Sequence, residues 1–92
     1  MRLNEKEISI IKDTIFNEFG NAQVYLFGSR LDDSKKGGDI DLFIISNEHN
    51  LLEKKLKTLA KLKRVLHKPV DIVLHKNFDR IIEQEALRGI GI

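Results

Sequence analysis

Phe27-Gly28-Ser29-Arg30 and, ten residues after Ser29, Asp39-Ile40-Asp41-Leu42-Phe43-Ile44-Ile45 form the stretch whose reading decides the fold. A glycine-serine turn leaves one apolar run, and two carboxylates spaced by one residue open the next. Successive side chains of a β-strand point to opposite faces, so Asp39 and Asp41 point the same way. Like charges on neighbouring positions of one face repel, and a flanking apolar run makes the repulsion worse. A divalent cation between the carboxylates removes the difficulty. Oxygen-only ligands with room left for phosphate oxygens and water suit Mg²⁺. The adjacent Gly-Ser turn offers backbone N–H groups and a hydroxyl to a polyphosphate.

Working outward from that stretch, residues 4–19 read as a helix. Asn4 caps it, Glu7 completes a capping-box pattern, and Ile8, Ile11, Ile15 and Phe19 recur at helical spacing. Gly20-Asn21 ends it. Ala22 to Phe27 is rich in β-formers and reads as the first strand, stopped at Gly28. A short helical turn from Ser29 is compatible with the sequence, and 32–38 reads as a polar loop closing in Gly37-Gly38. The second strand runs from about Asp39 to Ile45 and is apolar on both faces after its first residues, which requires cover on both sides.

Residues 51–67 read as a helix with Leu52, Leu56, Leu59, Leu62 and Leu66 at core spacing, broken by Lys68-Pro69. Val70 to Leu74 reads as a third strand with Asp71 on the face opposite Val70, Ile72 and Leu74. A final helix is expected over Phe78 to Arg88, with Phe78, Ile81, Ile82 and Leu87 inward or partly so and Gly89 and Gly91 ending it. The order α-β-(α)-β-α-β-α describes a single α+β domain over residues 1–92.

Gly28-Ser29, a short link and then Asp39-x-Asp41 resemble the signature of the DNA polymerase β-type nucleotidyltransferase superfamily. Within it the chain looks like a minimal nucleotidyltransferase, the stand-alone prokaryotic form found as an antitoxin. The family places a third acidic residue at the start of a later strand, and Asp71 matches it. The resemblance covers nearly the whole chain and implies the nucleotidyltransferase fold: a small mixed sheet of three main strands flanked by helices. For the Gly-Ser exit of strand one to meet the entrances of strands two and three, the first pair must run antiparallel and the second parallel. The 51–67 helix then makes a right-handed crossover.

By that resemblance, Asp39, Asp41 and Asp71 are the catalytic and metal-binding carboxylates. The first two bridge two Mg²⁺ ions, and Asp71 binds the ion beside the nucleophile and helps to remove its proton. Gly28 and Ser29 hold the β- and γ-phosphates, and Arg30 adds a charge-assisted contact. The implied reaction transfers AMP from ATP to a hydroxyl. Larger relatives carry an acceptor-binding domain that this sequence lacks, so a second polypeptide is expected to supply or be the acceptor. The minimal members imply a tyrosine of a HEPN-domain RNase toxin. Two alternatives stand beside this: a binding-only antitoxin that occludes its partner, and a small-molecule transferase of the antibiotic-modifying kind.

Composition sets the remaining bounds. The chain has 92 residues, no cysteine and a formal charge of +2. Disulfides and thiolate metal sites are excluded, which is compatible with a reducing cytoplasm. The charge is too slight to argue for nucleic acid as a direct substrate. No apolar run reaches the roughly 18 residues a membrane span needs, and Met1-Arg2-Leu3-Asn4-Glu5-Lys6-Glu7 lacks a signal-peptide core. Lys35 and Lys36 read as solvated loop, and His49, His67 and His75 as surface or boundary residues. Lys54, Lys55, Lys57, Lys61, Lys63, Arg64 and Lys68 read by default as a solvated basic face. A small open sheet with a missing acceptor wall exposes apolar surface, from which a homo- or hetero-oligomer is expected.

Overall fold

The computed structural model describes residues 4–28 and 40–92. Ser29, Arg30 and Asp39, together with the helical turn and polar loop expected between them, lie outside the described residues.

Helix α1 spans Glu5–Phe19 and opens on the expected capping box. The Asn4 side-chain oxygen accepts from the Glu7 N–H at 2.8 Å, and the Glu7 carboxylate accepts from the Asn4 N–H at 3.3 Å. Two of the orphan donors at the helix start are thereby satisfied. Strand β1 is Gln23–Phe27, β2 is Ile40–Ile45 and β3 is Val70–Leu74, with helix α2, Leu51–Leu66, between the last two. β1 runs antiparallel to β2, and β2 runs parallel to β3, as the site had required.

A fourth strand was not expected. Gly89 and Gly91 do more than end a helix: Ile90–Gly91 forms β4, antiparallel to β1, so the sheet order is β3-β2-β1-β4. The Ile92 N–H donates to the Val24 carbonyl at 2.9 Å and ties down the chain end. Gly89 makes this return feasible, because a Cβ there would run into the Leu26 carbonyl oxygen.

Alternation along the strands divides the core in two. Val24, Leu26, Ile40, Leu42, Ile44, Val70 and Ile72 pack beneath α1 and α2 with Ile11, Ile15, Phe19, Leu62 and Leu66. Phe27, Phe43 and Ala86 form a smaller cluster on the opposite face, bordered by Tyr25, Ile45 and Val73. Two lysines of the α2 region fasten the two helices of the larger layer together. Lys54 Nζ donates to the Glu18 carbonyl at 3.0 Å, and Lys68 Nζ meets the Glu7 carboxylate at 2.6 Å. The contacts join opposite ends of α1, so the helices run antiparallel.

Two expectations about apolar residues fail. Leu52 and Leu56 are 66% and 58% exposed, not core. Thr58, Leu62 and Leu66 make the buried row of α2, and Leu52 and Leu56 lie about 80–120° round the axis from Leu62. The last helix, α3, covers only Ile81–Leu87. Its inward positions are Glu83 and Ala86, while Phe78, Ile81, Ile82 and Leu87 are exposed, Ile81 to 75%. Phe78 to Arg80 instead form a turn, in which the Arg80 N–H donates to the Asn77 carbonyl and the Asp79 N–H to the Asn77 side chain. Among the described residues no helix is long and apolar enough to cross a membrane.

Candidate active site

The strand register brings two of the three expected carboxylates together. Phe27 of β1 lies opposite Asp41 of β2, and Asp41 lies opposite Asp71 of β3. Paired residues of neighbouring strands share a face, and adjacent strands lie about 4.8 Å apart. Asp41 and Asp71 are therefore side by side on the face away from α1 and α2, at the end where β1 leaves the sheet and β2 and β3 enter it. Asp41 is half-buried and Asp71 exposed.

Gly28 completes this corner. Its φ is 84°, in the left-handed region that favours glycine, and a Cβ there would overlap the Asp41 carboxylate. The Asp41 carboxylate thus packs directly against the Gly28 turn, a contact that only a residue without a side chain permits. The Asp71 Oδ1 accepts from the Ile72 N–H at 2.9 Å. Pro69 accepts from the Ile40 N–H and His75 donates to the Ile44 carbonyl, each at 2.9 Å, so alternate residues 69, 71, 73 and 75 bond to β2. The Ile72 N–H consequently faces the free edge of β3. This bond orients the Asp71 carboxylate and leaves its second oxygen uncommitted.

The donor set passes a chemical test for Mg²⁺. It consists of hard carboxylate oxygens at the entrances of two neighbouring strands. Among the described residues there is no cluster of three or more acidic, histidine or cysteine side chains able to hold a metal. Asp41 and Asp71 make two, and Asp39, the third expected ligand, lies outside the described residues, as do Ser29 and Arg30 of the expected nucleotide-binding set.

Sequence reasoning missed a fourth carboxylate on the same side of the sheet. Glu83 is fully buried, yet every donor it needs is supplied by the β3–α3 connection. One oxygen accepts from His75 Nδ1 at 2.6 Å. The other accepts from the Lys76 and Asn77 N–H groups at 2.8 and 2.9 Å and from the Arg80 guanidinium at 3.0 Å. Burial alone would push its pKa up. The backbone amide of Asn77, the His75 side chain and the Lys76 amide outweigh that penalty and hold it at about 2. His75 in turn stacks on Phe78 with ring centroids 4.0 Å apart and meets the Phe43 ring edge-on. It is thus a boundary residue with a fixed role, whereas His49 and His67 are simply exposed. The signal available in the sequence was the Asn77-x-x-Arg80-x-x-Glu83 spacing, which places three polar groups at one helix start.

Searches of curated proteins and of solved structures return no match. A family model does match: the polymerase β nucleotidyltransferase domain aligns with residues 9–92. The glycine turn, the paired carboxylates at the mouths of β2 and β3, and the mixed sheet that aligns them all fall inside that span. On this match the chain belongs to the polymerase β nucleotidyltransferase family.

Proposed function

We propose that the chain is a Mg²⁺-dependent nucleotidyltransferase that moves AMP from ATP to a tyrosine hydroxyl of a partner HEPN-domain RNase toxin, and so acts as a cytoplasmic antitoxin. The observation that carries the reading is the Asp41–Asp71 pair, set in register on one face beside the Gly28 turn. Membership of the family supports nucleotidyl transfer from an NTP with a divalent metal. ATP, the tyrosine and the toxin follow from the resemblance of its motifs to minimal members.

In this reading Asp41 and Asp39 would hold two Mg²⁺ ions, and Asp71 would be a further ligand that also serves the acceptor hydroxyl. When bound, the ions neutralise charge that develops on the attacking, bridging and non-bridging oxygens. The Gly28-Ser29 turn receives the β- and γ-phosphates through backbone N–H groups and the Ser29 hydroxyl, with Arg30 at their flank. The acceptor oxygen forms a bond to the α-phosphorus, the bond from that phosphorus to the bridging oxygen breaks, and pyrophosphate leaves. The hydroxyl proton passes to the uncommitted oxygen of Asp71, whose orientation the Ile72 N–H fixes. Exposed apolar side chains, Leu52, Leu56, Phe78 and Ile81 among them, support an oligomeric or partner-bound state.

The test is transfer of label from α-³²P-ATP in Mg²⁺, with and without the HEPN partner, by the wild type and by Asp41→Asn and Asp71→Asn. Label is expected on the partner, and each substitution should lower the rate by at least about a hundredfold, the scale of losing one charge-stabilising group. Equal labelling by all three proteins would refute the assignment of these carboxylates. Tight partner binding without any labelling would favour occlusion.

A further inference from the structure

An open groove of about 520 Å³ runs along the outer edge of β3, between that strand, the start of α2 and the β3–α3 turn. Leu52, Lys55, Asp71, His75, Lys76 and Arg80 are among the residues that line it. It therefore begins at the candidate active site and leads away from it. Lys55 and Lys76 have no acidic partner among the described residues. Arg80 already serves Glu83 and the Leu74 carbonyl. Leu52 is the most exposed of the leucines on α2, and it adds an apolar wall.

The backbone of the edge restricts what can bind. The outward groups of β3 belong to Val70, Ile72 and Leu74. The Ile72 N–H is taken by the Asp71 carboxylate at 2.9 Å, and the Leu74 carbonyl by Arg80 at 3.3 Å. An antiparallel strand needs both groups of one residue, so it is refused at Ile72 and hindered at Leu74, where Arg80 occupies one side of the carbonyl. This opposes twofold pairing of β3 with β3 of a second copy, which would be antiparallel. Among the described residues the Ile72 carbonyl and the Leu74 N–H have no partner. They are the two groups that a single residue of a parallel strand, seated opposite Val73, would engage.

We infer that this groove is the acceptor channel, and that it takes an extended polypeptide segment running parallel to β3, with a hydroxyl residue followed by acidic residues. The inference rests on the transferase reading above. Parallel travel brings the segment past Asp71 first and past His75 and Lys76 afterwards. A hydroxyl two residues before the bracketed position lies about 6.6 Å back along the strand, level with Asp71 and on the same face. Acidic residues that follow it reach Lys76 and Lys55.

The test uses a fluorescein-labelled peptide, Tyr-Ala-Ala-Glu-Glu-Glu, and the full chain in about 0.15 M salt, where unscreened attraction is short-ranged. Lys55→Glu/Lys76→Glu should weaken binding, read by anisotropy, by about tenfold or more. Lys61→Glu/Arg64→Glu makes the same change in net charge on exposed positions of α2 outside the groove, and should stay within about twofold. With labelled ATP and Mg²⁺, the peptide should accept label at least about tenfold faster than its reversed sequence, whose hydroxyl falls at the wrong end. Equal weakening by the two double variants would overturn the inference. So would displacement of the peptide by a uridine oligonucleotide that binds more tightly. Groove-dependent peptide binding with no transfer of label would uphold the surface and count against the transferase reading instead.

Discussion

Replacing Glu83 tests whether a buried charge holds the β3–α3 connection in place. The carboxylate is fully buried and receives four hydrogen bonds, one at its first oxygen and three at its second. Glu83→Ala removes all four and leaves a cavity, which should cost about 3–5 kcal/mol. A domain of this size has in total only about 5–14 kcal/mol of stability. Glu83→Gln is a finer probe. Its amide oxygen still accepts from Lys76, Asn77 and Arg80, and its NH₂ donates to His75 Nδ1 in the tautomer protonated at Nε2. What is lost is charge assistance, worth about 1–2 kcal/mol over these bonds. The pH dependence separates charge from shape. The folded pKa of Glu83 is about 2, below the ordinary 4.5. A depressed carboxylate contributes stability above its unfolded pKa and loses it as pH falls toward the folded value. The wild type should therefore weaken between pH 4.5 and about 2 more steeply than Glu83→Gln, by up to about 1.4 kcal/mol per pH unit. Urea titrations at a series of pH values read both effects. Parallel acid profiles for the two proteins would refute the reasoning, as would a cost below about 1 kcal/mol for the alanine variant.

Gly28→Ala should affect the site more than the fold. The positive φ costs about 1 kcal/mol, whereas the added Cβ displaces the Asp41 carboxylate, so ATP–Mg²⁺ affinity by calorimetry should fall at least about tenfold. Unchanged affinity would separate the turn from the nucleotide. Thr58→Val acts in the opposite direction. The Thr58 hydroxyl is the one buried side-chain polar atom with no hydrogen-bond partner among the described residues. An isosteric methyl should stabilise the chain by about 1 kcal/mol in urea denaturation, and destabilisation would show that the hydroxyl has a partner.

What the sequence disclosed depended on whether a pattern was local. The capping box at Asn4 and Glu7, the break at Pro69 and the alternation in β3 are decided within a few residues, and the structure matches them. The directions of β1, β2 and β3 followed from requiring Ser29, Asp39, Asp41 and Asp71 to meet, a demand that propensity could not supply, and the strand pairing matches them. The failures share one cause. Leu52, Leu56, Ile81 and Ile82 have helical spacing, but spacing does not say which flank of a short helix meets the sheet. α2 sits over an edge strand, so one of its apolar flanks has nothing to cover it. β4 escaped notice because a strand of two residues carries no periodicity. Its evidence is tertiary: Gly89 is the position where the chain must pass against the Leu26 carbonyl.

Glu83 and Asp71 show why burial alone is a poor guide to function here. The buried carboxylate is the inert one. Four donors from its own neighbourhood satisfy it, its pKa is low, and its charge is fully compensated within the chain. The exposed carboxylate is the unfinished one. Asp71 receives a single hydrogen bond, from the N–H of the next residue, and lies level with a second carboxylate on the neighbouring strand. Folding stability gives no reason to align two acids in this way, since like charges directly opposite one another destabilise a sheet. In the proposed reading, bound cations would offset that cost. Glu83 also sets the shape of that opening, because the Arg80 guanidinium it holds is the one that closes the Leu74 carbonyl at the groove wall. The structural carboxylate thus acts on the site from a distance. It fixes which backbone groups of β3 an incoming segment meets, while Asp71 stays exposed beside them.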